Sequence, residues 1–416
     1  MYLDELVQAN SRGELSGIGA VCSAHPWVLS AAIQRAKGPL LLEATCNQVN
    51  QLGGYTGMTP GGFIQYLSGI ASENGYSSRN FILGGDHLGP SPWQDEAADS
   101  AMNKAAVLVR DYVEAGFVKI HLDCSMRLAD DPQGKLDPEI SARRAAQLAK
   151  VAESSAADSR NSPRYVIGSE VPVPGGAQDH EDHVRVTSVE DTQHTIELTR
   201  EAFHREGLAS AWERVIAVVV QPGIEFGDDF VLDYDPQATR ALSSFIETEG
   251  MIYEAHSTDY QTRGALRDLV YGHFAILKVG PALTFAFREA IFALASIEDE
   301  LFPEEQRSNL VDVMDRIMLQ DPRHWAKYYR GTAQQQALAR KFSLSDRIRY
   351  YWQQPEVQSA IELLMGNLGS KTPLPLSIVS QYLPQQYEKL RQRSIMNTPE
   401  ALVMDKIADV LELYLL

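Results

Sequence analysis

The side chains in this sequence best suited to chemistry are His, Asp and Glu residues that punctuate short apolar runs. Glu43 and Asn47, Asp86-His87, His121 and Asp123, Glu170, Gln221, Glu254 and His256, and Lys278 all stand at or just beyond the end of such a run. Imidazoles and carboxylates converging on one point hold a divalent ion, Zn or Mn by ligand type, and a bound carbonyl can complete its coordination. His87 and His256 are the expected first ligands, with Glu170 a third and Gln221 a weak oxygen donor or a partner behind the ligands. Asp86 adjoins His87 where the chain turns out of a strand, so it can reach a substrate hydroxyl while its neighbour binds metal. It is the expected general acid/base, with Asp123 and Glu170 as further catalytic carboxylates and Glu43 and Asn47 as substrate contacts.

Two segments read as anion cradles. Ser257 and Thr258 follow His256 into an expected helix, whose N-terminus favours a phosphate. Lys278 and Gly280-Pro281 do the same one unit later, and Gly175-Gly176 after Glu170 lets backbone approach a ligand closely. The group His180-Glu181-Asp182-His183 lacks the helical HExxH spacing and reads as a solvated loop.

These residues need a frame that brings strand ends together. Apolar, β-branched runs recur at Ile18–Cys22, Leu40–Ala44, Phe81–Leu83, Val118–Leu122, Tyr165–Ile167, Val215–Val220, Met251–Glu254 and Phe274–Val279, separated by stretches of helical period. Thr59-Pro60, Asp137-Pro138 and Asp235-Pro236 read as helix starts, a cap followed by proline. Eight strand–helix units over about 290 residues predict a (β/α)8 TIM barrel, residues 1–299, with its site at the strand C-termini. A doubly wound open sheet is the runner-up, but the Gly17-Ile18-Gly19 glycines lie in a strand instead of opening a helix. Residues 300–416 read as a C-terminal helical extension broken at Pro303, Pro322, Pro355, Pro373, Pro375 and Pro384. Its aromatic residues Trp325, Tyr328, Tyr329, Tyr350, Tyr351 and Trp352 are expected to pack on the barrel or on another subunit. Ala152–Pro163, rich in Ala and Ser, reads as a frayed or mobile segment.

Composition narrows the function. The 416 residues carry a formal charge of −18, which repels nucleic acid and anionic membrane. No apolar run is long enough to span a bilayer and the N-terminus shows no signal pattern, so a cytoplasmic location is expected. Cys22, Cys46 and Cys124 have no metal-knuckle or disulfide spacing. There is no GxxxxGK[ST] loop, so a sugar-phosphate kinase finds little support.

Longer motifs make the reading specific. Ala20-Val21-Cys22-Ser23-Ala24-His25-Pro26, Glu43 through Asn50, Gly53-Gly54-Tyr55-Thr56-Gly57, Leu83 through Pro90, Tyr253 through Tyr260, Gly280 through Thr284 and Asp346-Arg347-Ile348-Arg349-Tyr350-Tyr351-Trp352 closely resemble the Z-subunit family of bacterial tagatose-1,6-bisphosphate aldolase, nearly end to end. That resemblance implies a role in galactitol, N-acetylgalactosamine or tagatose breakdown, with the Z subunit supporting a separate catalytic Y subunit. More distantly the barrel resembles the metal-dependent class II aldolases. It implies that Asp86 is the acid/base, His87 a metal ligand, Glu170 with Gly175-Gly176 the strand-five element, and His256-Ser257-Thr258 the strand-seven ligand and phosphate contacts. At strand six those aldolases carry a second metal histidine where this chain has Gln221-Pro222-Gly223. An amide oxygen is a poorer zinc ligand than imidazole, so a weakly held metal or none is expected.

Two functional readings follow. In the first, the chain is a stabilising aldolase subunit that binds a phosphorylated ketose and the Y subunit, itself a homo-oligomer or not. In the second, the surviving site makes it a metal-dependent ketose(-bisphosphate) 4-epimerase acting by retro-aldol cleavage and re-addition.

Overall fold

Strands rich in Val, Ile and Leu can be buried on both faces only if helices cover the outside and side chains fill the inside. A computed structural model describes residues 2–156, 162–169 and 184–415 and shows that arrangement. Eight parallel strands close into a barrel: β1 (Ile18–Val21), β2 (Leu40–Thr45), β3 (Phe81–Leu88), β4 (Lys119–Leu122), β5 (Arg164–Ile167), β6 (Val215–Val219), β7 (Ile252–Ala255) and β8 (Phe274–Val279). Each pairs with its neighbours in sequence, and β8 returns to β1 with Ala20 opposite Lys278. The open doubly wound sheet is thereby excluded.

The strands match the expected runs to within a residue or so, except β3, which extends five residues further, through Gly84-Gly85-Asp86-His87-Leu88. Backbone pairing with β2 as far as Asp86, and with β4 at Gly84, Gly85 and Leu88, holds this stretch in the sheet despite its glycines and charges. Gly84 has a packing reason: a Cβ there would come within 2.7 Å of the Glu43 carboxylate inside the barrel.

Among the described residues ten helices accompany the barrel: α1 (Tyr2–Ser11), α2 (Pro26–Arg35), α3 (Pro60–Glu73), α4 (Ala98–Ala115), α5 (Pro138–Ser155), α6 (Val189–Arg205), α7 (Ala209–Trp212), α8 (Arg240–Ile246), α9 (Arg263–Tyr271) and α10 (Pro281–Leu301). Thr59 and Asp137 cap α3 and α5 through their side chains, with proline at the first helical position. Asp235-Pro236 does not open a helix. The Asp235 carboxylate accepts from the Gln237 N–H, the chain makes a turn, and α8 starts only at Arg240. Ala152 to Ser155 are helical; residues 157–161 of the expected frayed segment lie outside the described residues.

Beyond α10 come α11 (Leu310–Gln320), α12 (Ala333–Phe342), α13 (Pro355–Gly369), α14 (Leu376–Tyr382), α15 (Pro384–Arg391) and α16 (Pro399–Leu411). They pack on their own barrel: α16 lies against α10 and α2, and Trp325, Tyr329, Tyr351 and Trp352 are buried. Trp352 meets Phe287 of α10 edge-on at 5.0 Å between ring centres. The chain end reaches back to β1, where a Cβ on Gly19 would come within 2.7 Å of Tyr414 Cβ. Among the described residues no helix is long and apolar enough to cross a membrane. The three cysteines are free thiols, Cys46 and Cys124 buried and Cys22 half-buried.

Candidate metal and sugar-phosphate site in the barrel mouth

The two ends of the barrel interior differ in kind. Toward the strand N-termini the lumen is aliphatic, with Ile18, Leu41, Ile82, Val166, Ile216 and Ile276 packed under Leu3, Leu6 and Val7 of α1. Toward the C-termini it is charged.

The change begins in β4 and β7, where the two-residue period of a strand puts Lys119, His121 and Asp123 on one face, and Glu254 and His256 on another. Lys119, fully buried, lies 2.6 Å from Glu43 and 2.5 Å from Glu254. Burial would strip its proton, but Glu254 and Glu43 hold its pKa above the ordinary lysine value. Lys119 and His256 in turn hold Glu254 low against its own burial, whereas burial pushes Glu43 up.

At β3 the chain departs from regular pleating. His87 has φ 47°, in the left-handed region, and the β3–β4 register shifts between Gly85 and Leu88. The irregularity lets successive side chains, Asp86 and His87, both face the lumen, where a regular strand would send them to opposite faces. Asp86 is fully buried. Burial alone would raise its pKa, but His87, Lys278 and His121 hold it well below the ordinary carboxylate value. The Lys278 ammonium sits directly on its Oδ2.

Asp86, His87, His121 and His256 can each offer one ligand atom such that all four atoms lie within 4.8 Å of one another. The hydrogen-bond pattern of the three imidazoles fits a metal. His87 Nδ1 is 2.8 Å from Asp123 Oδ2, His256 Nε2 is 2.9 Å from Glu254 Oε1, and His121 Nε2 is 2.9 Å from the Gly168 carbonyl oxygen. A carbonyl or an ionised carboxylate only accepts, so in His87 and His256 that nitrogen carries hydrogen and the other bears the lone pair, whereas His121 Nδ1 also faces a carboxylate, Asp86 Oδ1, at 3.0 Å. One nitrogen committed to a carboxylate or carbonyl behind it is the usual state of a metal-binding histidine. Burial first of all lowers the His87 pKa, which keeps the ring neutral as a ligand must be. The surrounding charge also suits a cation: Asp86, Asp123, Glu43 and Glu254 outnumber Lys119 and Lys278, and two negative charges remain if all are ionised.

Above this cluster opens a cavity of about 450 Å³. Asp86, His87, Asp123 and His256 form its floor side, and Asn47, Ser257, Lys278 and Gly280 also line it. Glu43 does not; it is fully buried beneath, held by Lys119. Thr258 is likewise withdrawn, because its hydroxyl donates to the Lys278 carbonyl and meets Tyr414 Oη. The helix expected directly after His256 starts only at Arg263, capped by Thr262, so Ser257 and Thr258 are not at its N-terminus. The amides after β8 are also taken: Gly280 N–H and Ala282 N–H both donate to Asp259 Oδ1, at 3.0 and 2.8 Å.

Gln221 stands apart from the cluster. Its amide oxygen accepts from the Gly223 and Ile224 N–H groups, 2.8 and 3.1 Å away, and so is turned into its own turn and offers nothing to a metal. Glu170, Gly175, Gly176 and the His180–His183 group lie outside the described residues. His121 enters the cluster without having been assigned a role from sequence; its two-residue spacing from Lys119 and Asp123 is the signal that marks it.

The profile of the family described as D-tagatose-1,6-bisphosphate aldolase subunit GatZ/KbaZ-like matches residues 3–416. The chain is 51% identical over 416 residues to D-tagatose-1,6-bisphosphate aldolase subunit GatZ of Salmonella dublin, covering 99% of this chain and 98% of that one. The subunit of the same name from Salmonella enteritidis PT4 is equally similar, at 51% identity. Among solved structures, a protein of Sinorhizobium meliloti 1021 described as a probable tagatose 6 phosphate kinase superposes with a TM-score of 0.89 at 44% identity, covering 96% of this chain and 99% of that one.

Proposed function

The chain belongs to the GatZ/KbaZ-like family of D-tagatose-1,6-bisphosphate aldolase subunits, and from that premise we propose that it is the supporting subunit of such an aldolase. In this reading it associates with a separate catalytic Y-type chain in the breakdown of galactitol, N-acetylgalactosamine or tagatose, and its own lumen takes up a phosphorylated ketose. The observation that carries the reading is the extent of the match, which runs through the helical extension as well as the barrel. The withdrawal of Gln221 from the lumen favours the same division of labour, since strand six then gives the site no ligand. The test titrates the catalytic subunit with this chain. Its cleavage rate and melting temperature are expected to rise to a plateau at a fixed stoichiometry, and a flat response in both overturns the proposal.

One observation favours a second reading, that the chain also interconverts ketose phosphates at C4. Four carboxylates, three imidazoles and two lysines buried at one barrel end are costly to fold, and assembly with a partner gives no reason to keep them. His87, His121 and His256 would hold a divalent ion, which polarises a ketose carbonyl when bound. Asp86, kept ionised by the Lys278 ammonium, is placed to take a proton from a sugar hydroxyl lying in the cavity. Lys278 steadies the carboxylate charge of Asp86 before it takes the proton and again once the proton is given back. Fructose 1,6-bisphosphate formed from tagatose 1,6-bisphosphate by the isolated chain, and lost in Asp86→Asn, is the expected sign; its absence in metal-loaded protein rules this reading out.

A further inference from the structure

A phosphorylated ligand needs a cation or a set of free amides at the cavity wall, and the groups best placed by sequence are spoken for. The amides of Gly280 and Ala282 at the start of α10 carry the Asp259 carboxylate. Burial raises the pKa of that carboxylate to about 6, so near neutrality it is largely a negative charge lodged where a phosphate would have to sit. Thr258 is bonded to the Lys278 carbonyl, and the Lys278 ammonium is bonded to Asp86.

A different cation lines the cavity. Arg349 lies in the short 3-10 turn Arg347–Tyr350 of the helical extension, far along the chain from the last barrel strand. Its Nη1 donates to the main-chain carbonyls of Ser345 and Asp346, at 2.5 and 3.0 Å, and its Nη2 donates to Tyr350 Oη at 3.0 Å. Every one of these acceptors is uncharged. Among the described residues no carboxylate oxygen comes within 4.0 Å of its guanidinium, and the Asp346 and Asp259 carboxylates act on it only from further off.

The turn that presents Arg349 is fixed from two sides. The Asp346 carboxylate accepts from Thr284 Oγ1 at 2.6 Å and lies 3.3 Å from Arg288 Nε, both in α10. Ser343 and Ser345 donate to Asp228 in the β6–β7 connection, at 2.8 and 2.9 Å. Tyr350 meets Tyr55 of the β2–β3 connection edge-on, with ring centres 5.0 Å apart. The guanidinium is thus held in place before any ligand arrives, which is the condition under which an arginine contact adds affinity instead of losing it to ordering.

We propose that Arg349 is the anchor for a phosphate group of the bound sugar, so that the helical extension supplies the anion-binding part of a site whose remaining residues come from the barrel. A phosphate ester offers a planar fork of donors two oxygens at once, and the cavity is of the size that holds a sugar phosphate. The identity of the ligand as a ketose phosphate rests on the proposed function; the anion anchor itself does not.

Calorimetry of the full chain with three probes separates the two: inorganic phosphate, tagatose 1,6-bisphosphate and unphosphorylated tagatose. In Arg349→Ala, affinity for both phosphate-bearing probes is expected to fall at least about tenfold with tagatose unchanged, and Arg349→Lys is expected to recover part of the loss. Melting curves identify folded variants, and if Arg349→Ala does not fold, Arg349→Gln keeps a donor for the Ser345 carbonyl and serves in its place. Equal affinity for the bisphosphate in the wild type and a folded charge-free variant overturns the proposal. Arg349-dependent binding of inorganic phosphate without binding of the ketose ester keeps the anchor and removes the ketose assignment. Binding of neither probe by the wild type removes both.

Discussion

The lower and upper halves of the same barrel interior are built from the same eight strands and obey opposite rules. Below, Ile, Leu and Val side chains from the strands meet the apolar face of α1, with one ion pair, Arg164 to Asp4, joining β5 to that helix. Above, a few residues further along the strands, carboxylates, imidazoles and lysines replace them. The lower layer stabilises the fold by removing apolar surface from water. The upper layer works against it, since each buried charge must be matched by a partner to be tolerated at all. We propose that the layer is kept for a ligand, and Lys119 and Lys278 offset two of its carboxylate charges.

This contrast can be broken most forcefully at its seam. Lys119→Met leaves Glu43 and Glu254 facing each other without a cation and is expected to cost about 3–5 kcal/mol of stability by denaturant unfolding. An unchanged midpoint would mean that the two carboxylates share a proton and do not need the lysine. One layer down, Ile276→Ala opens a cavity in the aliphatic half and is expected to cost about 2–4 kcal/mol while leaving metal affinity as it was. Loss of metal binding there would erase the distinction between the halves.

In the upper half the expected effect is on the ligand. Asp123→Asn weakens the partner behind His87 Nδ1 and is expected to lower Zn or Mn affinity about 10–100-fold, measured by competition with a chelator, with little change in melting temperature. Unchanged affinity would remove His87 from the ligand set. The smallest effect concerns His25, a buried ring packed 4.3 Å from Phe287 where the extension meets the barrel. Burial lowers its pKa to about 3, against about 6.5 for an exposed histidine. The unfolded chain therefore binds a proton that the folded chain does not as pH falls below about 6.5, and the fold loses about 1.4 kcal/mol per pH unit down to about pH 3. Between pH 6.5 and 5.5, where the unfolded ring is still titrating, the wild type is expected to lose about 1 kcal/mol more than His25→Gln, and parallel losses would place the ring in water.

The fold was legible because buried parallel strands are written as unbroken β-branched runs, and β1, β2, β4 and β8 stand within a residue of where those runs lie. The upper part of β3 was not, because Gly84, Gly85 and Asp86 are poor strand formers held extended by β2 and β4, and His87 turns left-handed between paired residues. The site was legible where a polar residue ends a run, as at Asp86, His87, Asp123 and His256, which the lumen brings together. It was not legible at Thr258 and Gly280, whose expected phosphate contacts are taken by Lys278 and Asp259 from elsewhere in the chain. Gln221 could be seen to differ from an imidazole, but its rotation onto Gly223 and Ile224 depends on the local turn. Arg349 carried no local signal at all, since only tertiary packing of the extension brings it to the barrel mouth.

The central claim is that this chain leaves cleavage of tagatose 1,6-bisphosphate to a partner subunit that it supports. Phosphorus NMR of that substrate with the purified, metal-loaded chain, before and after addition of the catalytic subunit, tests it most directly. The account predicts no triose phosphate from the chain alone and, once the subunits are mixed, triose phosphate formed faster than by the catalytic subunit by itself. Triose phosphate from the isolated chain, or a mixed rate equal to that of the catalytic subunit alone, would contradict it.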